Sequence, residues 1–308
     1  MKRVFIDGSA GTTGLRIRER LAARRELELI VLPEERRKDP SARRDALNGA
    51  DIAFLCLPDA AAIEAAELVH GDTAVIDTST AHRTAPGWEY GFAELPGRRE
   101  RIRASRRIAN PGCHASGFIA LVAPLVAAGL LGRDALLGCT SLTGYSGGGK
   151  KMIADYEAEG RSPLLDAPRQ YGLSQQHKHL PEMAAICGLD NPPAFMPIVA
   201  DFYSGMEVTV PVFASQLNGG MADVKAVYRQ CYAGPVVRYV EDAGEGGFLS
   251  AGAMSGRDDM EISVAGCDER VLLTARFDNL GKGASGAAIQ NMNLLLGVDE
   301  TAGLVLGN

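Results

Sequence analysis

The sequence predicts an α/β protein in two parts, a doubly wound parallel sheet followed by an α+β domain, and three observations carry that expectation. Short apolar runs alternate with helical segments in the N-terminal third, a glycine-spaced turn joins the first run to the first helix, and longer β-like runs with glycine-rich connections fill the second half. The chain has 308 residues, of which 46% are hydrophobic and 23% charged, with 36 Gly and 15 Pro. Such a composition excludes disorder, collagen and coiled coil as the main architecture.

Lys2 to Asp7 reads as the first strand, and Gly8 to Gly14 as the tight turn opening a helix that reaches about Arg25. Glu26 to Leu32, Asp51 to Leu57 and Thr73 to Thr78 read as the next strands, with a helix over Ala60 to Val69. Strands that alternate with helices pair in parallel, so this part is expected to be a Rossmann-type sheet. After Asn110-Pro111-Gly112 comes a helix from Cys113 to about Ala128. Leu136 to Thr143, Val199 to Val212 and Val271 to Arg276 then read as strands of a mixed or antiparallel sheet, and Ser285 to Leu296 as an apolar-spaced tail helix.

Lys+Arg total 32 against 38 Asp+Glu, a formal charge of -6 that gives no general footprint for nucleic acid. The arginine-rich run from Arg98 to Arg107 reads as a solvated basic loop without a partner. The apolar run before Asp7, Val4 to Ile6, is only three residues long, too short for a signal-peptide core. The greasiest stretch, Phe118 to Leu131, is broken by Pro124 and Gly129 and falls short of the ~20 residues that span a bilayer, so no membrane partner is expected. Six cysteines at 56, 113, 139, 187, 231 and 267 show neither CxxC nor Cys/His pairing at zinc spacing. The chain therefore reads as cytoplasmic, with reduced thiols and no metal.

Gly8, Gly11 and Gly14 stand at G-x-x-G-x-x-G spacing at the first βα junction, where a dinucleotide turn belongs. Glycines let the backbone approach a pyrophosphate, and Ser9, Thr12 and Thr13 lie where the helix offers free N–H groups. At the end of the second strand, Arg36, Arg37 and Lys38 favour a ribose 2′-phosphate and hence NADP, while Glu34 and Glu35 leave NAD open. Cys113 falls in the first turn of an apolar helix, where the dipole and nearby amides favour thiolate, and is the candidate nucleophile. The other five cysteines sit in apolar or ordinary surroundings and read as small hydrophobes.

A thiolate doing acyl chemistry needs a proton donor and acceptor, for which His is the usual choice. Gln176-His177-Lys178-His179-Leu180-Pro181-Glu182 concentrates two of the five histidines before a carboxylate. If that segment is extended, His177 and His179 share a face, and Glu182 is placed to orient one imidazole. Thr143 to Lys151 reads as a flexible glycine-rich segment whose Ser146, Lys150 and Lys151 suit an anion, although Lys151 breaks the Walker pattern. Asp278 to Gly286, with Asn279 and Gly283, again presents amides at a helix start.

Taken in order, Gly8-Ser9-Ala10-Gly11-Thr12-Thr13-Gly14, Asn110-Pro111-Gly112-Cys113, Gly144 to Lys151, His177 to Glu182 and Asn279 to Gly286 resemble the motifs of the N-acetyl-gamma-glutamyl-phosphate reductase family, in its shorter form. The resemblance covers nearly the whole chain. It implies an NADP-dependent enzyme of arginine biosynthesis acting on a small acyl phosphate. It also implies a nucleotide-binding domain over 1–112, completed by a C-terminal helix in 284–308, and a catalytic and oligomerisation domain over 113–283 that forms a homo-oligomer, dimer or tetramer. By the same match Cys113 is the nucleophile, with His177 as acid/base and His179 as the neighbour that competes for that role. Asn279 and Gly283 join Gly8, Ser9, Gly11, Thr12, Thr13, Gly14, Arg36 and Arg37 as cofactor contacts. Where many relatives carry Tyr after the cysteine, this chain has His114, a departure expected to alter packing or substrate contact. An aspartate-semialdehyde dehydrogenase-like reductase, a nicotinamide-binding sensor without catalysis and a thiol hydrolase are the competing readings.

Overall fold

A computed structural model describes residues 1–9 and 11–307; Ala10, within the glycine turn, and Asn308 lie outside the described residues. The chain divides into two compact units, one made of Met1–Ala93, Gly97–Pro111 and Ala284–Leu304, the other of Glu94–Pro96, Gly112–Gly283 and the last residues from Val305.

In the first unit the elements run β1 (Lys2–Asp7), α1 (Thr12–Ala22), β2 (Leu27–Ile30), α2 (Pro40–Asn48), β3 (Ile52–Leu55), α3 (Asp59–Glu67), β4 (Ala74–Asp77), β5 (Glu89–Tyr90), α4 (Arg98–Ala104) and β6 (Arg107–Ala109). The strands form one six-stranded parallel sheet in the order β2-β1-β3-β4-β6-β5. This is the doubly wound arrangement expected, and the order reverses between β1 and β3, where such sheets bind ligands beyond their carboxyl ends. Strands buried on both faces read as continuous apolar runs, as Ile52–Leu55 and Ala74–Asp77 do. Helix α2 was not foreseen, yet its start is written in Asp39-Pro40: the Asp39 carboxylate accepts from the Ser41 N–H at 2.9 Å, and proline occupies the first turn. The basic run 98–107 is no loop: Arg98 and Arg101 pair with Glu89, and Arg99 pairs with Glu300.

The second unit contains α5 (Cys113–Ala127), β7 (Gly138–Gly144), α6 (Gly149–Glu157), β8 (Arg169–Gln170), α7 (Leu180–Cys187), β9 (Ala194–Ala200), β10 (Met206–Phe213), α8 (Met221–Cys231), β11 (Val237–Tyr239), β12 (Met260–Cys267) and β13 (Arg270–Phe277). A last helix, α9 (Gly286–Leu296), belongs to the first unit, whose core includes Ile289 and Met292 beside Val4, Ile17 and Ile76. The second sheet is seven-stranded and mixed, in the order β11-β12-β13-β10-β7-β9-β8. Helix α5 is hydrophobic all round and buried from His114 to Val122, packed among α7, α8, β10 and β13.

Three expectations needed correction here. The run Val199 to Val212 is two strands, β9 and β10, because the chain turns through Asp201–Gly205; Gly205 has φ +126°, and a Cβ there would meet the Ala251 carbonyl at 2.4 Å. The glycine-rich stretch after Thr143 is not a flexible loop but a 3₁₀ turn over Tyr145–Gly148 that leads into α6. His177 and His179 do not lie on an extended strand: they occupy a turn, and His179 is the residue before α7. Among the described residues no disulfide joins the cysteines, and no helix is long and apolar enough to cross a membrane.

Candidate active site

In the first unit the glycine turn is fixed by close backbone approach. Gly8 has φ +86°, and a Cβ there would stand 2.2 Å from the Cys56 carbonyl oxygen; a Cβ on Gly14 would stand 2.5 Å from the Gly8 carbonyl oxygen. The Gly11 N–H donates to that same Gly8 oxygen at 3.0 Å. Helix α1 starts with Gly11 before it and no side chain over its amides, so its first-turn N–H groups can take an anion. Beside the turn lies a cleft of about 500 Å³ lined by Gly8, Ser9, Arg18, Arg37, Lys38 and Arg43 among others. Thr12 and Thr13, half-buried, begin α1 next to it. Arg36 is not part of that lining: the 3₁₀ turn Glu34–Arg36 directs it to Asp39 at 3.4 Å, so that of the two neighbours only Arg37 lines the cleft. Such a cradle of glycines, amides and guanidinium groups fits a dinucleotide's phosphates.

In the second unit Cys113 is the first residue of α5, directly after Gly112, which caps without a side chain. Its sulfur therefore stands at the positive end of a long buried helix, which favours the thiolate form. The Gly112 N–H donates to the buried Glu182 carboxylate of α7 at 2.8 Å, so this expected site residue fastens the start of the cysteine's helix. A Cβ on Gly283 would lie 3.0 Å from the Cys113 Cβ; glycine there keeps the side of the cysteine clear.

Two further histidines gather around His114, the residue that follows the cysteine. His114, 3% exposed, bonds Ser141 Oγ through Nδ1 at 2.7 Å and the Tyr171 hydroxyl through Nε2 at 2.7 Å. The His177 ring centroid is 5.9 Å from that of His114 and 4.8 Å from that of His179, and Phe195 lies beneath both His114 and His177 at 5.3 and 5.1 Å. The His179 N–H donates to His177 Nδ1 at 3.2 Å. That leaves the neutral ring's proton on Nε2, as a donor. Burial, and then the Lys178 charge, hold the His177 pKa below its ordinary value; a thiolate on Cys113 adds to burial in raising that of Tyr171.

Other expected residues are placed less centrally. Ser146 is buried and accepts from Asn279 Nδ2 at 3.0 Å, while Asn279 Oδ1 takes the Gly205 N–H at 2.9 Å, so Asn279 braces two turns of the second unit. Lys150 and Lys151 are exposed on α6. Sequence reasoning missed Tyr171, which has no periodic or motif signal in its loop. It also missed the first-unit pair in which His82 Nδ1 meets Asp77 Oδ2 at 2.6 Å and the ring stacks on Trp88 at 3.9 Å. The spacing Asp-x-Ser-x-x-His at the end of a strand was the available clue.

The chain is 49% identical over 306 residues to N-acetyl-gamma-glutamyl-phosphate reductases of Brucella ovis and Brucella canis, an alignment that covers 96% of this chain and 99% of each relative. It belongs to the N-acetyl-gamma-glutamyl-phosphate reductase family. Two family models agree in placing it within a wider group: "Semialdehyde dehydrogenase, NAD binding domain" matches residues 3–105, and "Semialdehyde dehydrogenase, dimerisation domain" matches 113–279. Among solved structures, aspartate semialdehyde dehydrogenase II from Vibrio cholerae shares the fold with a TM-score of 0.70 at 17% identity, over 96% of this chain and 98% of that one. The enzyme from Francisella tularensis does so with a TM-score of 0.70 at 13% identity, over 96% and 100%.

In this family member, His114 makes stability pH-dependent. Burial first, and then the nearby His177, push its pKa from 6.5 down to about 3. The unfolded chain takes up a proton near pH 6.5 while the folded one does not, so stability is full above that pH and is lost as pH falls toward 3. Between pH 7 and pH 5.5 the free energy of unfolding should drop by about 1 kcal/mol on this account. Urea unfolding at the two pH values checks it: His114→Asn should show a flatter dependence than the parent.

Proposed function

We propose that this chain catalyses the NADPH-dependent reductive dephosphorylation of N-acetyl-L-glutamyl 5-phosphate to N-acetyl-L-glutamate 5-semialdehyde, through a thioester on Cys113. The observation that carries the reading is the cysteine at the start of the buried helix α5, followed by His114 and its contact with His177, in a chain that matches named reductases of this activity along nearly its whole length. The thiolate attacks the acyl carbon, the bond from that carbon to the phosphate oxygen breaks, and inorganic phosphate leaves. First-turn amides of α5 are suited to the negative charge that gathers on the carbonyl oxygen. When bound, reduced nicotinamide supplies the hydride that converts the thioester to the thiohemiacetal level. His177, with its proton on Nε2, donates to the oxygen that becomes negative at that step. Collapse passes the hydroxyl proton back to His177 Nε2, breaks the C–S bond, releases the aldehyde and returns Cys113 as thiolate.

Arg37 and Lys38 in the cleft beside Gly8 support NADP, since a guanidinium and an ammonium suit a 2′-phosphate. A homo-oligomer is supported by the exposed sheet positions Phe213 and Leu272, by helix α5 packed against the alternate residues of β10 and β13, and by the dimerisation description of the matched model. A catalytic thiol that must stay reduced fits the cytoplasm. The test is the reverse reaction, in which the purified protein receives N-acetylglutamate 5-semialdehyde, phosphate and NADP. Nicotinamide reduction should require phosphate and run faster with NADP than with NAD. Absence of phosphate-dependent reduction refutes the reading, and equal rates with aspartate semialdehyde would transfer it to the shorter substrate.

A further inference from the structure

We propose that Gln175 is a positioning residue for His177, its side-chain amide standing in for a missing strand residue and holding the histidine turn against β9. The proposal rests on the acid–base role given to His177 above. Strand β8 pairs antiparallel with β9 at Arg169↔Val199 and Gln170↔Ile198, and the Tyr171 N–H extends the ladder to the Pro197 carbonyl at 3.0 Å. The chain then leaves the sheet at Gly172, which has φ +66° and whose Cβ, if present, would lie 3.2 Å from Pro197. Continued, the same register would set residue 173 against Phe195.

Leu173 is instead exposed, and the Gln175 amide takes that slot. Gln175 Nε2 donates to the Phe195 carbonyl at 2.7 Å, and the Phe195 N–H donates to Gln175 Oε1 at 2.8 Å. One primary amide thus reproduces both hydrogen bonds of a backbone pair. To reach them Gln175 adopts φ +56°, the sole positive φ of a non-glycine residue among those described. A residue held in that region marks a constraint worth a functional explanation. The object held is two residues away: the His177 ring rests on the Phe195 ring at 5.1 Å, and its Nδ1 takes the His179 N–H. Gln175 therefore clamps the backbone of the very residue whose ring forms the floor under His177, and fixes the turn between them.

The expected result for Gln175→Ala is a kcat lower by about 10- to 100-fold, the scale of a sub-ångström to one-ångström misplacement, with the KM for nucleotide unchanged within about twofold. Gln175→Gly relieves the positive φ but lacks the amide, and should be as slow as the alanine variant; Gln175→Glu, which keeps the acceptor and loses the donor, should fall between. The pH profile separates positioning from general loosening. His177 is faced by His114, His179, Tyr171 and the Lys178 charge, and burial keeps its pKa low. Protonation at Nδ1 would displace the His179 N–H that holds the ring, so the neutral ring is the working form and its loss makes the acid limb of the rate profile. A released turn hydrates the ring, and that limb should move to higher pH in Gln175→Ala and Gln175→Gly. Full activity in either variant overturns the proposal, as does a slowed enzyme whose acid limb stays in place. Thermal midpoints within a few degrees of the parent show that the variants fold, and the exposed neighbour Ser174→Ala should match the parent throughout. His177→Asn run alongside tests the underlying reading by itself: if it keeps full activity that reading fails, whatever the Gln175 variants do.

Discussion

Cys113→Ser should lower turnover by roughly 10⁴-fold or more, the scale seen when an enzyme loses its nucleophile, while leaving nucleotide binding as it was. The two side chains are nearly the same size, so α5 and its contacts to α7 need not move. What changes is ionisation. The positive end of α5 favours a thiolate because a thiol begins with a pKa near 8.5, whereas an alcohol starts so far above neutrality that the same field leaves it protonated. The loss should therefore appear in the acyl-transfer half of the reaction. With acyl phosphate and no nicotinamide, the parent should release about one equivalent of phosphate per active site as the thioester forms, and the serine variant none. His177→Asn offers the contrast, since its burst of phosphate should survive while the later reduction slows. Titration of nucleotide fluorescence checks that binding in the first unit persists in both. A serine variant with parental turnover would remove the thioester scheme altogether.

How much of this site could be read from the chain alone depends on the range of the interaction. Gly8, Gly11 and Gly14 were legible because the constraint is local: a turn between a strand and a helix must let the backbone pass within contact of itself, and only glycine allows that at φ +86°. Cys113 was legible for the same reason, since Asn-Pro-Gly before a long apolar run marks a helix start. Partners fixed by tertiary contact left no such trace. Glu182 stands close behind the histidines in sequence, whereas the bond its carboxylate accepts from the Gly112 N–H spans 70 positions. Tyr171 and Gln175 lie in a segment whose polar and glycine residues read as ordinary loop, because a side-chain amide that imitates a strand has no periodic signal.

The strand and turn errors have a similar origin. In Val199 to Val212 the break Asp-Phe-Tyr-Ser-Gly carries aromatics that prolong the β-pattern, but its carbonyls leave the ladder: Phe202 and Tyr203 accept from the Tyr145 and Ser146 N–H groups. The arginines after β2 show how little a charge cluster specifies. Arg36 and Arg37 are neighbours in sequence, yet the 3₁₀ turn directs one to Asp39 and the other to the cleft.

Lys282→Met should destabilise the protein by about 3 to 5 kcal/mol, because it removes the ammonium that both oxygens of the buried Glu94 carboxylate contact. Lys282 and Glu94, both in the second unit, have side chains only 1% and 5% exposed, and the ammonium contacts both carboxylate oxygens, at 2.9 and 2.8 Å. A charge pair so deep is costly to desolvate, so its removal as a unit is a different matter from its interruption: Glu94→Leu with Lys282→Met should recover most of the lost stability. Denaturant midpoints for the two single variants and the double one measure the difference, and a double variant as unstable as the worse single would refute this account. Turnover should not follow stability. Lys282 sits in the π-helical turn Gly281–Ser285, one residue before the Gly283 that leaves the side of Cys113 clear, and the Asp278 carbonyl takes the Gly281 and Gly283 N–H groups at 3.1 and 3.0 Å. An ion pair gives that turn a direction, whereas a leucine and a methionine only fill its volume. The double variant is therefore expected to be stable and slow. Parental turnover in it would show that the pair fills the interior without orienting the wall beside the thiol.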